Sequence, residues 1–540
     1  MRAQALSIYL LKDGETVESA IIAGARLRRL KARALPPGAV LLGLEGEPQT
    51  PDWCDYLEVE EDLQRSSLGA ILFVPAKKRL FAITFGHAYH KLDEDAYEHD
   101  FGLQFILNAA QPDKLRSADI CEPGAARLRR TQGADESDLT LLDFKYDAEV
   151  LKSITARVQE RYKGWFDSAT GGASLRLHIK ERGPLLGKLC EVLLGAYLSE
   201  TWKKNFPGAQ NIARVREPAL IQQLDGALLK ALIDGSPHLH LAVPEIIDHH
   251  GMARARFSGA GGASAESEIF LKPYLDYLAD KKVDISAMTI AALKKHKLHV
   301  LMGEEARKTY RVYRALMFET KIAGTNDTFH LLDRAWYRAK GAFMDKLHSD
   351  LDRAWIASPF PAYAHACEGD YNVDFARTSP GVVLLDKTNV APQGMTPVEP
   401  ADHIFLRQAR AVLVHVKVSS FSFKLSHLFN QGTTATELLR ENDAARTKLK
   451  RIVNERAPVE QIHPMIKAID ARKFAVVYAI VSHKDPADKA MNLPLFSRIT
   501  LRRSIKALRA MDTEARFCFI PTAAPVATPA ASKKSGGPSR

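Results

Sequence analysis

The sequence predicts a mixed α/β (α+β), multidomain protein, and three observations carry that expectation. Short apolar runs bounded by glycine or proline, such as AVLLGLEG, GAILFVPA and RLFAITFG, give the strand signal. They alternate with longer stretches such as GPLLGKLCEVLLGAYLSETWKKNF, whose apolar residues recur at helical spacing. The length of 540 residues exceeds that of a usual single domain, and 46% hydrophobic with 26% charged residues suffices to bury a core.

The first domain is expected at residues 1–125. It opens with strand QALSIYLL, a helix start at GETVESAI and the basic run Arg26 to Lys31, followed by the three strands above. HAYHKLDEDAYEHD reads as a solvated, acidic helix, and FGLQFILNA after it reads as a strand. The polar stretch AARLRRTQGADESD is expected to link to a middle mixed domain at 140–330. There SLRLHIK reads as a strand, and TGGAS, with no GK[ST] after it, reads as a tight turn rather than a phosphate loop.

HLHLAVPE reads as a strand that places His238 and His240 on one face, with Asp248, His249 and His250 close in sequence. No CxxC or HExxH framework accompanies them, so a structural role is expected. EEARKTYRVYRALMFE and FHLLDRAWYRAKGAFMDKLHSDLDRAW read as helices with a basic flank that includes Arg307, Arg311, Arg314 and Arg338. The last residues, 521–540, are rich in Pro, Ala, Ser and Gly and are expected to be a disordered tail.

Five scattered cysteines without a CxxC pair argue against a disulfide framework or a cysteine zinc site, and for a reducing cytoplasm. No apolar run approaches the ~20 residues a membrane helix needs, so no membrane association is expected. A net charge of +11 favours a polyanionic partner such as nucleic acid.

The third domain, 335–520, has the clearest order of elements: a helix, strands GVVLLDK, DHIFL and AVLVHVK, a helical region, strand FAVVYAIV, helix TLRRSIKALRAM and strand ARFCFI. Alternation in AVLVHVK puts Leu413, His415 and Lys417 on one face, and Asp402 at the start of the preceding strand is expected to approach them through antiparallel pairing. A carboxylate, an imidazole and an ammonium are equipment for metal-assisted phosphodiester hydrolysis. Asp402 and His415 are the expected metal ligands and Lys417 the charge-stabilising lysine, while Glu399 or Asp386 supplies a further carboxylate. Lys424, Ser426, His427, Gln431 and Arg446 on the following helices offer donors to phosphate oxygens.

The αβββαβ order and the D…HxK spacing resemble the restriction-endonuclease-like core of the PD-(D/E)XK nuclease superfamily, with His415 where that pattern has an acid. Because imidazole suits Mn²⁺ better than Mg²⁺, the departure bears on the expected divalent ion. FAITFG, DFGLQFILNA with DKLRS, LLDKTNV, VEPADHI, HVK, LSHLFNQG and LPLFSRITL are moreover similar to a sporadically distributed family of uncharacterised bacterial proteins associated with phage-defence or mobile loci. The resemblances imply a cytoplasmic bacterial defence effector that cleaves DNA, or RNA, with Mg²⁺ or Mn²⁺, as a homo-oligomer or with a defence partner protein. Two other expectations stand beside it: a non-catalytic nucleic-acid-binding protein on the same scaffold, and a nucleotide transferase acting through FGHAYH.

Overall fold

The computed structural model describes residues 3–522 except 46–67, 123–126, 147–148, 180–182, 207–211, 237, 245–253, 268, 303–304, 323, 326, 340, 366, 419–421 and 483. It divides into two compact units, Met1–Glu122 with Leu128–Gln210, and Pro123–Arg127 with Asn211–Arg540. The expected tail lies almost entirely outside the described residues.

The first unit is built on a ten-stranded sheet. Its strands are β1 (Gln4–Leu10), β2 (Arg28–Arg29), β3 (Val40–Glu45), β4 (Leu68–Ala76), β5 (Arg79–Phe85), β6 (Ala110–Glu122), β7 (Arg127–Ser137), β8 (Val150–Val158), β9 (Ser168–Gly171) and β10 (Leu175–Ile179). They lie in the order β2-β3-β4-β5-β1-β10-β9-β8-β6-β7. One face buries Leu6, Ile8, Phe81 and Ile154 under helices α1 (Phe101–Ala109) and α2 (Leu186–Tyr197).

Four expectations change here. FGLQFILNA is helix α1, not a strand: Phe101, Phe105, Ile106 and Ala109 are all fully buried, and Gln104 and Asn108 are too few polar positions in so short an apolar run to reveal a helical period. A Cβ on Gly102 would stand 2.1 Å from the Ser174 carbonyl oxygen, so glycine lets α1 lie directly on the β9–β10 turn formed by TGGAS. GETVESAI forms turns, because Thr16 and Ser19 exchange hydrogen bonds with local backbone. The stretch expected as a linker supplies edge strand β7 at Arg127–Ser137, whose charges are engaged sideways as Arg129–Glu149 and Arg130–Asp119. HAYHK is one short 3₁₀ turn, and DEDAYEHD continues in turns rather than as a helix.

In the second unit, β11 (Ile212–Arg214), β12 (Leu239–Leu241), β16 (Leu316–Lys321), β17 (Thr328–Leu332) and β18 (Ala335–Ala339) form a sheet in the order β11-β18-β17-β16-β12. A three-stranded sheet joins β13 (Arg254–Ser258), β14 (Lys297–Met302) and β15 (Glu305–Arg311). Helices α3 (Pro218–Ile233) and α4 (Leu271–Asp280) share their core through Leu224, Leu228, Tyr274 and Leu278. The two segments expected to be helical around 304–339 are thus mostly strands. The turn between β17 and β18 is Asp333-Arg334, both at positive φ (46° and 60°), a left-handed two-residue connection made without glycine.

The last sheet is β19 (Val383–Leu384), β20 (His403–Arg407), β21 (Arg410–Lys417), β22 (Phe474–Ser482) and β23 (Glu514–Pro521), in that order. β19, β20 and β21 pair antiparallel, while β21, β22 and β23 pair parallel. Helices α5 (Gly341–Asp352) and α6 (Glu368–Thr378) precede it. Between β21 and β22 run α7 (Ser422–Glu441), α8 (Asp443–Arg456) and α9 (Val459–Asp470), and α10 (Leu495–Ala510) joins β22 to β23. The expected helix, three strands, helix, strand order is therefore present, with GVVLLDK reduced to two strand residues. Val412, Val414 and Val416 pack toward Tyr371 and Phe375 of α6. On the other face the Tyr478 ring meets Phe429 of α7, with centroids 5.2 Å apart. Among the described residues no helix is long and apolar enough to cross a membrane.

Candidate active site

β20 and β21 form a hairpin in which His403 stands opposite Val414, so Asp402, one residue before β20, lies beside the last residues of β21. Its backbone N–H donates to the Val414 carbonyl at 2.9 Å. Its carboxylate accepts from the Val416 N–H at 2.6 Å and from Asn372 Nδ2 at 3.1 Å. The Asp402 carbonyl in turn accepts from the N–H groups of Leu385 and Asp386. Glu399 accepts from the Lys387 N–H at 2.6 Å and from Gln431 Nε2 at 3.3 Å. The side chains are thus fixed mainly by backbone donors, which do not wander.

This arrangement brings one carboxylate oxygen each of Asp386, Glu399 and Asp402 within 4.8 Å of one another. Burial pushes the Asp402 carboxyl up to about 7; the Val416 N–H opposes the rise, and the negative charges of Glu368, Glu399 and Asp386 add to it. Glu399 is raised as well, first by burial and then by its proximity to Asp386. Three half-buried carboxylates that repel one another form a cluster that a bound cation would stabilise. The donor set is entirely carboxylate oxygen, which suits Mg²⁺ or Mn²⁺.

Lys417 is the last residue of β21, and its Nζ donates to Glu368 Oε1 at 2.8 Å, while Glu368 Oε2 accepts from the Val418 N–H at 2.8 Å. Glu368 opens α6, and Asn372 lies one turn further on the same helix face. Neither was expected as a site residue. A glutamate in a first helical turn followed by asparagine four residues later is the trace they leave in the sequence, and it is weak.

His415 does not join the carboxylates. It is 1% exposed, and its ring faces Tyr478 with centroids 5.9 Å apart. Burial holds it well below the usual range, at about 4. The expected ligand role is corrected by strand geometry: His415 points into the packing between sheet and helices, whereas Lys417 at the strand end reaches α6. His403, also buried, donates from Nε2 to the Asn372 carbonyl and so braces α6.

The expected phosphate donors separate. Gln431 reaches the site through Glu399, and His427 is exposed. Ser426 is fully buried against Thr500. Arg446 is buried and donates to the carbonyls of Leu439 and Arg440, closing the C-terminal end of α7 rather than facing a ligand. The Lys424 side chain is outside the described residues. His238 and His240 do not belong to the metal-capable group, and Asp248, His249 and His250 are outside the described residues.

Comparison with curated proteins and with solved structures returns no match. A family model does match, across residues 6–521, and by that match the chain belongs to a family of unknown function, DUF6119.

Proposed function

We propose that this protein is a metal-dependent nuclease that hydrolyses phosphodiester bonds in DNA, with RNA as the alternative substrate, and that it serves as a cytoplasmic bacterial defence effector. The observation that carries the reading is the convergence of Asp386, Glu399 and Asp402 beside the Lys417–Glu368 pair. A helix acid, an acid opening the second strand and a lysine closing the third resemble the PD-(D/E)XK pattern. With His415 turned away, the donors are oxygens only, and Mg²⁺ fits as well as Mn²⁺.

Asp386, Glu399 and Asp402 would hold the ion, which supplies positive charge at the scissile phosphate and polarises the attacking water. Lys417 offsets charge on the phosphate oxygens and orients that water, and Glu368 keeps its ammonium in place. One P–O bond forms to the water oxygen as one ester P–O bond breaks; the water loses a proton to solvent or a carboxylate, and the departing alkoxide gains one. The defence setting follows from the resemblance to proteins of mobile and defence loci.

The test is incubation of plasmid, linear DNA and RNA with Mg²⁺, Mn²⁺ or EDTA, comparing the wild type with Lys417→Ala and Asp402→Asn. Cleavage that requires the ion and vanishes in both variants supports the reading. Equal cleavage by all three proteins sinks it, and binding without cleavage by all three assigns the chain to the non-catalytic binders.

A further inference from the structure

One face of the sheet β11-β18-β17-β16-β12 carries polar groups that the nuclease reading does not use. His238, just before β12, sits beside Glu319 and His330 on the neighbouring strands: the Glu319 N–H donates to the His238 carbonyl, and Glu319 pairs with His330 across β16 and β17. Cross-strand neighbours point to the same side. Lys321 and Thr328 form the next such pair. The N-terminal turn of α10 closes over this face: both Glu319 oxygens accept from the Leu495 N–H at 2.7 Å, and Phe496 meets the His330 ring edge-on at 4.7 Å.

Arg498, 1% exposed, lies between Glu319 (3.5 Å) and His348 Nε2 of α5, to which its NH1 donates at 2.6 Å. Lys484 donates to the Asn492 carbonyl at 2.9 Å and interacts electrostatically with Glu319, Lys321 and Arg498. Three cations thus surround one buried carboxylate. Partial desolvation and repulsion from Arg498 lower Lys321 and Lys484, while Glu319 works against the repulsion. Nearby acids lie outside this core: Asp345 and Asp488 are exposed, and Asp352 is engaged by Lys489.

The second observation is a set of buried polar atoms with no hydrogen-bond partner among the described residues: both ring nitrogens of His330 (8% exposed), Thr328 Oγ1 (fully buried) and Arg498 Nε. Buried donors without partners are costly, and they gather where positive charge exceeds negative. A phosphoryl group meets both deficits, since its oxygens accept from guanidinium, ammonium, imidazole and hydroxyl and its charge offsets the excess.

We propose that this face, formed by Lys321, Thr328, His330, Lys484 and Arg498 at the N-terminus of α10, is a binding site for a phosphate-bearing small ligand, free phosphate or a nucleotide. The site is separate from the carboxylate cluster and does not depend on the nuclease reading.

The test is calorimetric titration of the full chain, in EDTA, with inorganic phosphate, ATP and adenosine. Wild type and Lys417→Ala should bind a phosphate compound equally, and adenosine should not bind. Lys321→Met and Lys484→Met should weaken binding about tenfold or more each. ATP binding without phosphate binding assigns the site to nucleotides, and binding of both assigns it to the phosphoryl group itself. No saturable binding of either compound to the wild type overturns the proposal, as does unchanged affinity in both lysine variants. Lys321 ends β16 with its side chain largely at the surface, so Lys321→Met is expected to fold and decides the matter even if changes at Lys484 disturb the core.

Discussion

Lys417 Nζ and Glu368 Oε1 meet at 2.8 Å, joining the end of β21 to the start of α6 across 49 residues of sequence. The pair is 28–29% exposed, so its removal should cost little stability, about 1 kcal/mol or less. Its catalytic weight should be larger. Lys417→Ala is expected to lower cleavage about 100-fold or more, and Glu368→Gln, which loosens the ammonium without removing it, less than that. Cleavage rates beside urea melts check this. An activity loss matched by a comparable stability loss would make the pair structural.

Removing one charge from the carboxylate cluster should relieve repulsion in the metal-free protein. Asp386→Asn and Glu399→Gln are expected to raise its melting temperature in EDTA while shrinking the rise that Mn²⁺ or Mg²⁺ produces in the wild type. An ion at about 100 times its dissociation constant stabilises by about 2.7 kcal/mol, enough for a shift of several degrees. Thermal melts of each protein with and without the ion measure both effects. Equal ion-induced shifts in wild type and variants would mean that the ion binds elsewhere.

LSHLFNQG reads in sequence as a polar stretch with donors for phosphate, yet most of it is packing. Leu425, Ser426, Leu428 and Phe429 are buried, and a Cβ on Gly432 would stand 2.6 Å from the Tyr478 ring. Alanine normally gains about 1 kcal/mol over glycine inside a helix. Here the clash with a buried ring should outweigh that gain, and Gly432→Ala is expected to destabilise by about 1–3 kcal/mol. Chemical denaturation decides the sign, and a stabilised variant would show that α7 can move off the sheet freely.

How much could be read in advance follows from the same residues. Strands flanked by turn residues were legible, as was the approach of Asp402 to β21, because strand period and hairpin pairing are local rules. Helix α1 was not, since a nine-residue, mostly apolar run with only Gln104 and Asn108 as polar positions is too short to show a period. Hairpin β17–β18 was hidden by a turn without glycine. In the site, sequence placed His415 and Lys417 on one side of a strand, but only the packing of α6 and α7 determines that the histidine is enclosed while the lysine at the strand end reaches Glu368.

Arg446 illustrates the same difficulty for charge. As one of several bases on α8 it looked like a phosphate contact, but its guanidinium is spent on the carbonyls of Leu439 and Arg440. Arg446→Met is expected to cost about 1–3 kcal/mol by leaving those acceptors unpaired, with nucleic-acid affinity unchanged. Unchanged stability with binding weakened tenfold would restore the sequence-based expectation.

Acid should act on the sheet core through His415. Its folded-state value of about 4 lies below the ordinary 6.5, so the unfolded chain takes up the proton more readily. The stability that this imidazole contributes is therefore complete above pH 6.5 and is lost as pH falls from there toward 4, by an amount on the order of 3 kcal/mol. His415→Leu keeps the volume roughly and removes the proton site. It should match the wild type within about 1.5 kcal/mol at pH 8 and lose less stability on the way to pH 4.5. Urea midpoints at several pH values for the two proteins isolate the histidine from every other titrating group. Parallel pH profiles would mean that the ring is solvated, and that the strand end is open enough for His415 to turn toward the carboxylates after all.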